Sequence, residues 1–173
     1  ITSSGQIRRG LLKKLPFSPR KVVATVDAPP SLRFTQGLVQ EILNDHDVSN
    51  VQLLAIGGGS TLDAAKAVKV SLEAEGGAEA DFLPKVLRDG ASVNIQRKVP
   101  FVAVPTTAGT GSEVTPWATI WDTERHKKLS LSGSNLYPDL CLLDGELLTS
   151  LPRQETVVSA LDAFSHAFEG LWN

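Results

Sequence analysis

Three short segments of this 173-residue chain carry side chains whose types and spacing suit chemistry. The first is Gly57-Gly58-Gly59-Ser60-Thr61. Glycines let the backbone approach a ligand closely, and a helix starting there offers unpaired N–H groups and the positive end of its dipole. That combination suits a pyrophosphate. The run matches neither of the usual glycine fingerprints for nucleotides, so a plain tight turn stands as the alternative. The second segment is Thr106-Thr107-Ala108-Gly109-Thr110-Gly111-Ser112-Glu113. Its threonines, serine and glycines supply many donors with little bulk, and Thr110 with Glu113 fits a capping box. The alternative is a polar loop before a capped helix. The third is Asp162 with His166. Four residues apart on a helix, they share one face at a Cβ separation of about 5–6 Å, where a carboxylate and an imidazole can share a divalent cation. The alternative is an ordinary helix pair. Two single residues join them. Asp27 follows a β-branched run, where an acidic side chain can hold a ribose hydroxyl or simply make a turn. Lys128 can reach a phosphate or be a solvated lysine. His46 and His126 read as surface residues.

The surrounding pattern supplies elements to hold these groups. Residues 21–26 (KVVATV), 51–56 (VQLLAI), 99–104 (VPFVAV) and 140–143 (LCLL) read as short buried strands. Pro105 is expected to stop the third. Residues 35–43 and 62–72 carry apolar side chains at helical spacing, and residues 73–80 read as a loop. Residues 117–121 and 128–132 read as the arms of a hairpin. The order strand, glycine turn, helix, strand argues an α/β domain with a mostly parallel, Rossmann-like sheet. Both the glycine turn and the threonine segment follow buried strands directly, where such sheets place ligands. From Pro152 onward the pattern is helical. Val157, Leu161, Phe164, Phe168 and Leu171 form an apolar stripe expected to be buried, with Asp162 and His166 at its edge. A boundary near residues 150–152 divides an α/β unit, 1–150, from the start of a helical unit, 151–173.

Composition narrows the class. Hydrophobic residues make up 42% and charged residues 21%, with a formal net charge of −2, ordinary for a globular domain. The longest basic run, residues 125–128, is too short for a nucleic-acid surface. No apolar run approaches the roughly 20 residues of a membrane-spanning helix. The single cysteine, Cys141, excludes an internal disulfide, fits a reducing cytoplasm, and reads as a small buried hydrophobe. The chain starts at Ile1 and ends inside a helical pattern, as expected of an excerpt from a longer protein.

Taken together, GGGSTLDAAKAV (57–68), PTTAGTGSEVTPWATIWD (105–122), the lysine of KKLSLS, and LDAFSHAFE (161–169) resemble the iron-containing (group III) alcohol dehydrogenase family. The resemblance runs from Gly57 to the end of the chain. It implies an N-terminal α/β nucleotide domain followed by an all-helical metal domain, the architecture shared with dehydroquinate synthase. It implies NAD or NADP held by Gly58, Gly59, Ser60 and Asp63, by Thr106, Thr107, Thr110 and Lys128, and by Asp27 near the adenosine ribose. Asp162 and His166 resemble the first two of four ligands to Fe²⁺ or Zn²⁺, the other two being histidines further along the helical domain. A small aldehyde or alcohol substrate and a homo-oligomer follow as further expectations. Within the family, residues 105–122 and the closing HAFEGLWN look most like phosphonoacetaldehyde reductases. Two departures stand out. The segment bearing the other two ligands is absent, and only 29 residues separate Asp27 from Gly57, where the family usually has a longer stretch with another strand–helix unit. No side chain here is an evident general acid. A lyase of the dehydroquinate synthase type and a nucleotide-binding module without catalysis are the competing readings.

Overall fold

The computed structural model describes residues 1–19, 22–25, 30–44 and 50–172. Its elements in chain order are β1 (Thr2–Ser3), α1 (Ser4–Arg8), α2 (Leu11–Lys14), β2 (Ala24–Thr25), α3 (Leu32–Leu43), β3 (Leu53–Gly57), α4 (Gly59–Glu73), α5 (Phe82–Asp89), β4 (Phe101–Pro105), β5 (Trp117–Asp122), β6 (Lys127–Ser132), β7 (Leu140–Cys141), α6 (Gly145–Leu148) and α7 (Arg153–Glu169). Five strands form one parallel sheet in the order β2-β1-β3-β4-β7. The hairpin β5–β6 forms a separate antiparallel ribbon. This is the expected α/β architecture with a mostly parallel sheet.

Two-residue periodicity gives the central strands two buried faces. Leu53, Ala55, Phe101 and Ala103 join a large core with α3, α4, α5 and the hairpin. Leu54, Ile56, Val102 and Val104 face the other way, onto Leu11, Leu15 and Leu147. Helices therefore cover both faces, which is why these strands read as continuous apolar runs rather than alternating ones.

Helix α4 departs from the amphipathic helix expected. It is buried almost all round, Lys66, Lys69 and Glu73 included, because the hairpin covers the side opposite the sheet. Two of these charges, Lys69 and Glu73, pair with each other. Lys69 Nζ lies 2.5 Å from Glu73 Oε1 and donates to Asn135 O at 2.7 Å, and Glu73 Oε1 also accepts from Val99 N.

Several other expectations change. Pro105 does not stop β4 but belongs to it, paired in register with Gly57. Beyond the loop at residues 73–80, α5 is an additional helix. Strand β1 and helices α1 and α2 are additional too. Because β1 lies between β2 and β3, the chain crosses it between Thr25 and Leu53, and among the described residues α3 is the helix in that stretch. The run at 140–143 gives only two paired residues at the sheet edge. Leu140 and Leu143 are exposed and Cys141 is half-buried rather than buried, because among the described residues no strand pairs with the outer side of β7. The first expected strand, residues 21–26, is described only at 22–25, of which Ala24–Thr25 pair. Among the described residues, no helix is long and apolar enough to cross a membrane.

Candidate functional site

The site grows from the ends of two neighbouring strands. Gly57 and Pro105 are partners in the β3–β4 ladder, and Thr106 N donates to Gly57 O at 2.9 Å. The glycine turn and the threonine loop therefore leave the carboxyl edge of the sheet side by side. They then touch. A Cβ on Gly58 would lie 3.2 Å from Thr107 Cγ2, and one on Gly59 2.7 Å from Thr110 Cγ2 and Oγ1. The second contact leaves no room for a side chain, so glycine is required here by close approach rather than by torsion angle.

Helix α4 begins at this junction. Its N-cap is Gly58, which supplies no side-chain acceptor. Thr61 N and Leu62 N both reach Gly58 O, whereas the amides of Gly59 and Ser60 meet no protein acceptor among the described residues. A Ser or Asp cap would have occupied the space in front of these N–H groups. A glycine cap leaves it to an anion, favoured by the helix dipole. Thr106 is buried, Thr107 half-buried, and Ser60 and Thr110 exposed, so hydroxyls line the same opening.

The threonine loop does not lead into a capped α-helix. Thr110 Oγ1 accepts from Ser112 N at 3.3 Å, and residues Ser112–Val114 form one 3₁₀ turn capped by Gly111. The turn begins one residue later than a box capped by Thr110 requires, so Glu113 stands at its second position rather than its third, and among the described residues no return bond from Glu113 to Thr110 forms. Asp63 fastens the loop instead. Its Oδ1 accepts from Ser112 Oγ at 2.7 Å and its Oδ2 from Thr119 N at 2.9 Å. Both carboxylate oxygens are thus committed to protein donors, and the geometry makes Asp63 a support for the threonine loop. Burial pushes the Asp63 carboxyl above its ordinary range, partly offset by the Thr119 N–H, the Ser112 hydroxyl and Lys66.

One turn on, Lys66 Nζ donates to Thr115 O at 2.8 Å and Trp117 O at 2.6 Å. Burial lowers its pKa to about 8, against the attraction of Asp63 and Glu113. Lys66 did not emerge as a site residue from the sequence. The signal that marks it is a lysine embedded in the run Ala64-Ala65-Lys66-Ala67-Val68.

These two anchors orient the hairpin. Lys66 holds its start and Asp63 holds Thr119, so the later residues of β5 lie toward the glycine end of α4. Trp121 pairs with Lys128 in the ribbon, and Lys128 Nζ sits 5.0 Å from the Trp121 ring centroid, a cation–π contact. The tip is pinned by Arg88, whose Nε and Nη2 donate to Asp122 at 2.6 and 2.9 Å. This fork, with the amides of Glu124 and Arg125, holds the Asp122 carboxyl down at about 2.

Helix α7 bears Asp162 and His166, with His166 Nε2 3.9 Å from Asp162 Oδ1. The apolar stripe expected to be buried is exposed: Leu161 is 62% and Phe164 66% accessible. The half-buried residues of α7 are instead Ser159, Asp162 and Ala163. The helix rests on the body through this small-residue face, so the larger apolar side chains point away from it. Among the described residues no group of three or more His, Cys, Asp and Glu side chains can hold a metal ion. Among the described residues neither Asp162 nor His166 is bonded to a side chain beyond this pair, which leaves a carboxylate and an imidazole side by side as candidate donors to such an ion. Asp27 and His46 lie outside the described residues.

Comparison with known proteins places this geometry. The profile of the family described as "Iron-containing alcohol dehydrogenase" matches residues 11–145. A choline dehydrogenase of Bacillus subtilis is 42% identical over 117 residues, 68% of this chain and 28% of that protein. A phosphonoacetaldehyde reductase of Streptomyces viridochromogenes is 42% identical over 121 residues, 69% of this chain and 30% of that protein. Among solved structures, a sulfoacetaldehyde reductase of Bifidobacterium kashiwanohense in complex with NAD⁺ superposes with a TM-score of 0.81 at 28% identity. The match covers 99% of this chain and 44% of that one. The chain thus spans less than half the length of these relatives.

Proposed function

The chain belongs to the iron-containing alcohol dehydrogenase family, and from that premise we propose that it is the nucleotide-binding part of an NAD(P)-dependent, metal-dependent alcohol dehydrogenase acting as an aldehyde reductase. The observation that carries this reading is the junction of the glycine turn with the threonine loop. Two unpartnered amides, of Gly59 and Ser60, open at a helix N-terminus beside the hydroxyls of Thr106, Thr107 and Thr110. Gly58, Gly59 and Ser60 bind the pyrophosphate, with the three threonines around it. Lys128 adds positive charge from the hairpin, and Asp27 serves the adenosine ribose. Asp63 acts behind them by holding the loop.

The reaction is transfer of hydride between nicotinamide C4 and a carbonyl carbon, with a proton completing the alcohol. Asp162 and His166 supply two donors to a divalent cation, Fe²⁺ or Zn²⁺, whose chemistry when bound is Lewis-acid polarisation of the carbonyl oxygen. What this chain contributes is orientation. The pyrophosphate anchor and the metal pair both flank the threonine loop, so the reacting groups are brought together before reaction. For the substrate, the reading is phosphonoacetaldehyde, reduced to 2-hydroxyethylphosphonate; the similarity to the Streptomyces reductase supports it. The protein is read as a cytoplasmic homo-oligomer.

Fluorescence titration of the chain with NADH tests the nucleotide site. Saturable binding that is lost in Gly59→Val is expected; unchanged binding in that variant would remove the glycine turn from the site. In the metal-loaded enzyme, His166→Ala should lose metal by elemental analysis while still binding NADH. NADH oxidation should depend on phosphonoacetaldehyde. Oxidation only with other aldehydes would reject the substrate, and none with any aldehyde would reject the dehydrogenase in favour of a lyase.

A further inference from the structure

Among the described residues, the hydrogen bonds and ion pair of α7 all close within the helix, its C-terminal turn, or onto Pro152. No polar bond fixes it beside the threonine loop. Backbone meets backbone there instead. A Cβ on Gly109 would lie 2.5 Å from the carbonyl oxygen of Ser159 and 3.1 Å from its carbonyl carbon and Cα. No rotamer change relieves a clash with main-chain atoms; the helix or the loop must move. Ser159, Asp162 and Ala163 are spaced by three and four residues and so share a helix face. The face resting on Gly109 is therefore the face that carries Asp162.

We propose that Gly109 is a positioning residue, whose missing side chain sets the separation between the threonine loop and the helix bearing Asp162 and His166. The catalytic consequence rests on the function proposed above: this separation sets the distance between hydride donor and carbonyl carbon. The loop is latched by Asp63 and α7 is not, so the helix is what yields. A misplacement of about 1 Å between reacting groups can cost on the order of 10²-fold in rate, and the effect falls on turnover and spares nucleotide binding.

Geometry and chemistry are tested separately. In the 173-residue chain carrying Cys141→Ser, spin labels are attached through Ser130→Cys and Gln154→Cys, both exposed positions. Pulsed dipolar spectroscopy should give one narrow distance with Gly109, a displaced or broadened one in Gly109→Ala, and a larger change in Gly109→Val. An unchanged distribution in both variants, or a broad one already in the parent, overturns the proposal. The parent measurement decides even where a variant fails to fold. In the metal-loaded enzyme, Gly109→Ala should lower kcat by roughly 10–100-fold with the NADH dissociation constant and metal content little changed. A loss of NADH affinity equal to the loss of kcat overturns the positioning role. Failure of the parent to bind NADH would instead overturn the functional reading, leaving the label distances to judge the packing.

Discussion

Asp63 and Ser112 are joined by a 2.7 Å hydrogen bond across 49 residues of sequence, and the same carboxylate takes the Thr119 amide. The bond ties the helix that begins at the glycine turn to the loop that packs against that turn. One side chain thereby fixes the relative position of the two segments expected to embrace a nucleotide.

Asp63→Ala leaves the Ser112 hydroxyl and the Thr119 N–H without a partner. The expected cost is about 1–3 kcal/mol of folding stability, read as a lower midpoint in urea. NADH affinity should fall as well, because the threonine loop is no longer held. A variant with the parent midpoint would mean that the latch is not a support.

Lys66 gives a pH signature. Its folded pKa, about 8, lies below the ordinary 10.5, so the unfolded chain binds more protons between these values. Stability therefore rises with pH across that window. The parent should gain unfolding free energy relative to Lys66→Met between about pH 8 and pH 10.5. A flat difference would show that burial does not disfavour the ammonium.

Asp122 gives the opposite sign in acid. Held at about 2 in the fold against an ordinary 3.8, it contributes stability that is present above the ordinary value and lost as pH falls toward 2. Acid titration of Asp122→Asn against the parent should show an advantage of the parent near neutrality that disappears by about pH 2. Equal acid transitions would remove the Arg88 fork from the account.

Leu161 and Phe164 are exposed in this chain. Replacing either with glutamate should leave the unfolding midpoint within the small range of surface substitutions, about ±0.5 kcal/mol, and reduce self-association in sedimentation. A loss of several kcal/mol would place the stripe in a core.

The glycine turn, the threonine loop, the strand–helix alternation and the hairpin were all legible in the residues. Each is written in local pattern: apolar runs for the two-sided strands, glycines where backbones meet, alternation across residues 117–132. Strand β1 was not legible. Thr2 and Ser3 are too short a run to show a period, and they form a strand because the backbones of Ala24 and Ile56 flank Thr2 and that of Thr25 lies beside Ser3. The burial of Lys66 was equally hidden, since what covers α4 is a hairpin some fifty residues away in sequence.

Fold class, family and the chemical types available at the site were thus readable from residue order, because they depend on periodicity and on short motifs. How the motifs meet came from packing in three dimensions. Gly59 lies against Thr110, Asp63 and Lys66 serve as anchors for the loop and hairpin, and Gly109 rests on Ser159. The same packing left the α7 stripe in solvent and Asp162 on the face toward the loop. The physical reason is that such contacts join residues roughly 50 apart, and their distances come from how helices and strands pack rather than from local sequence.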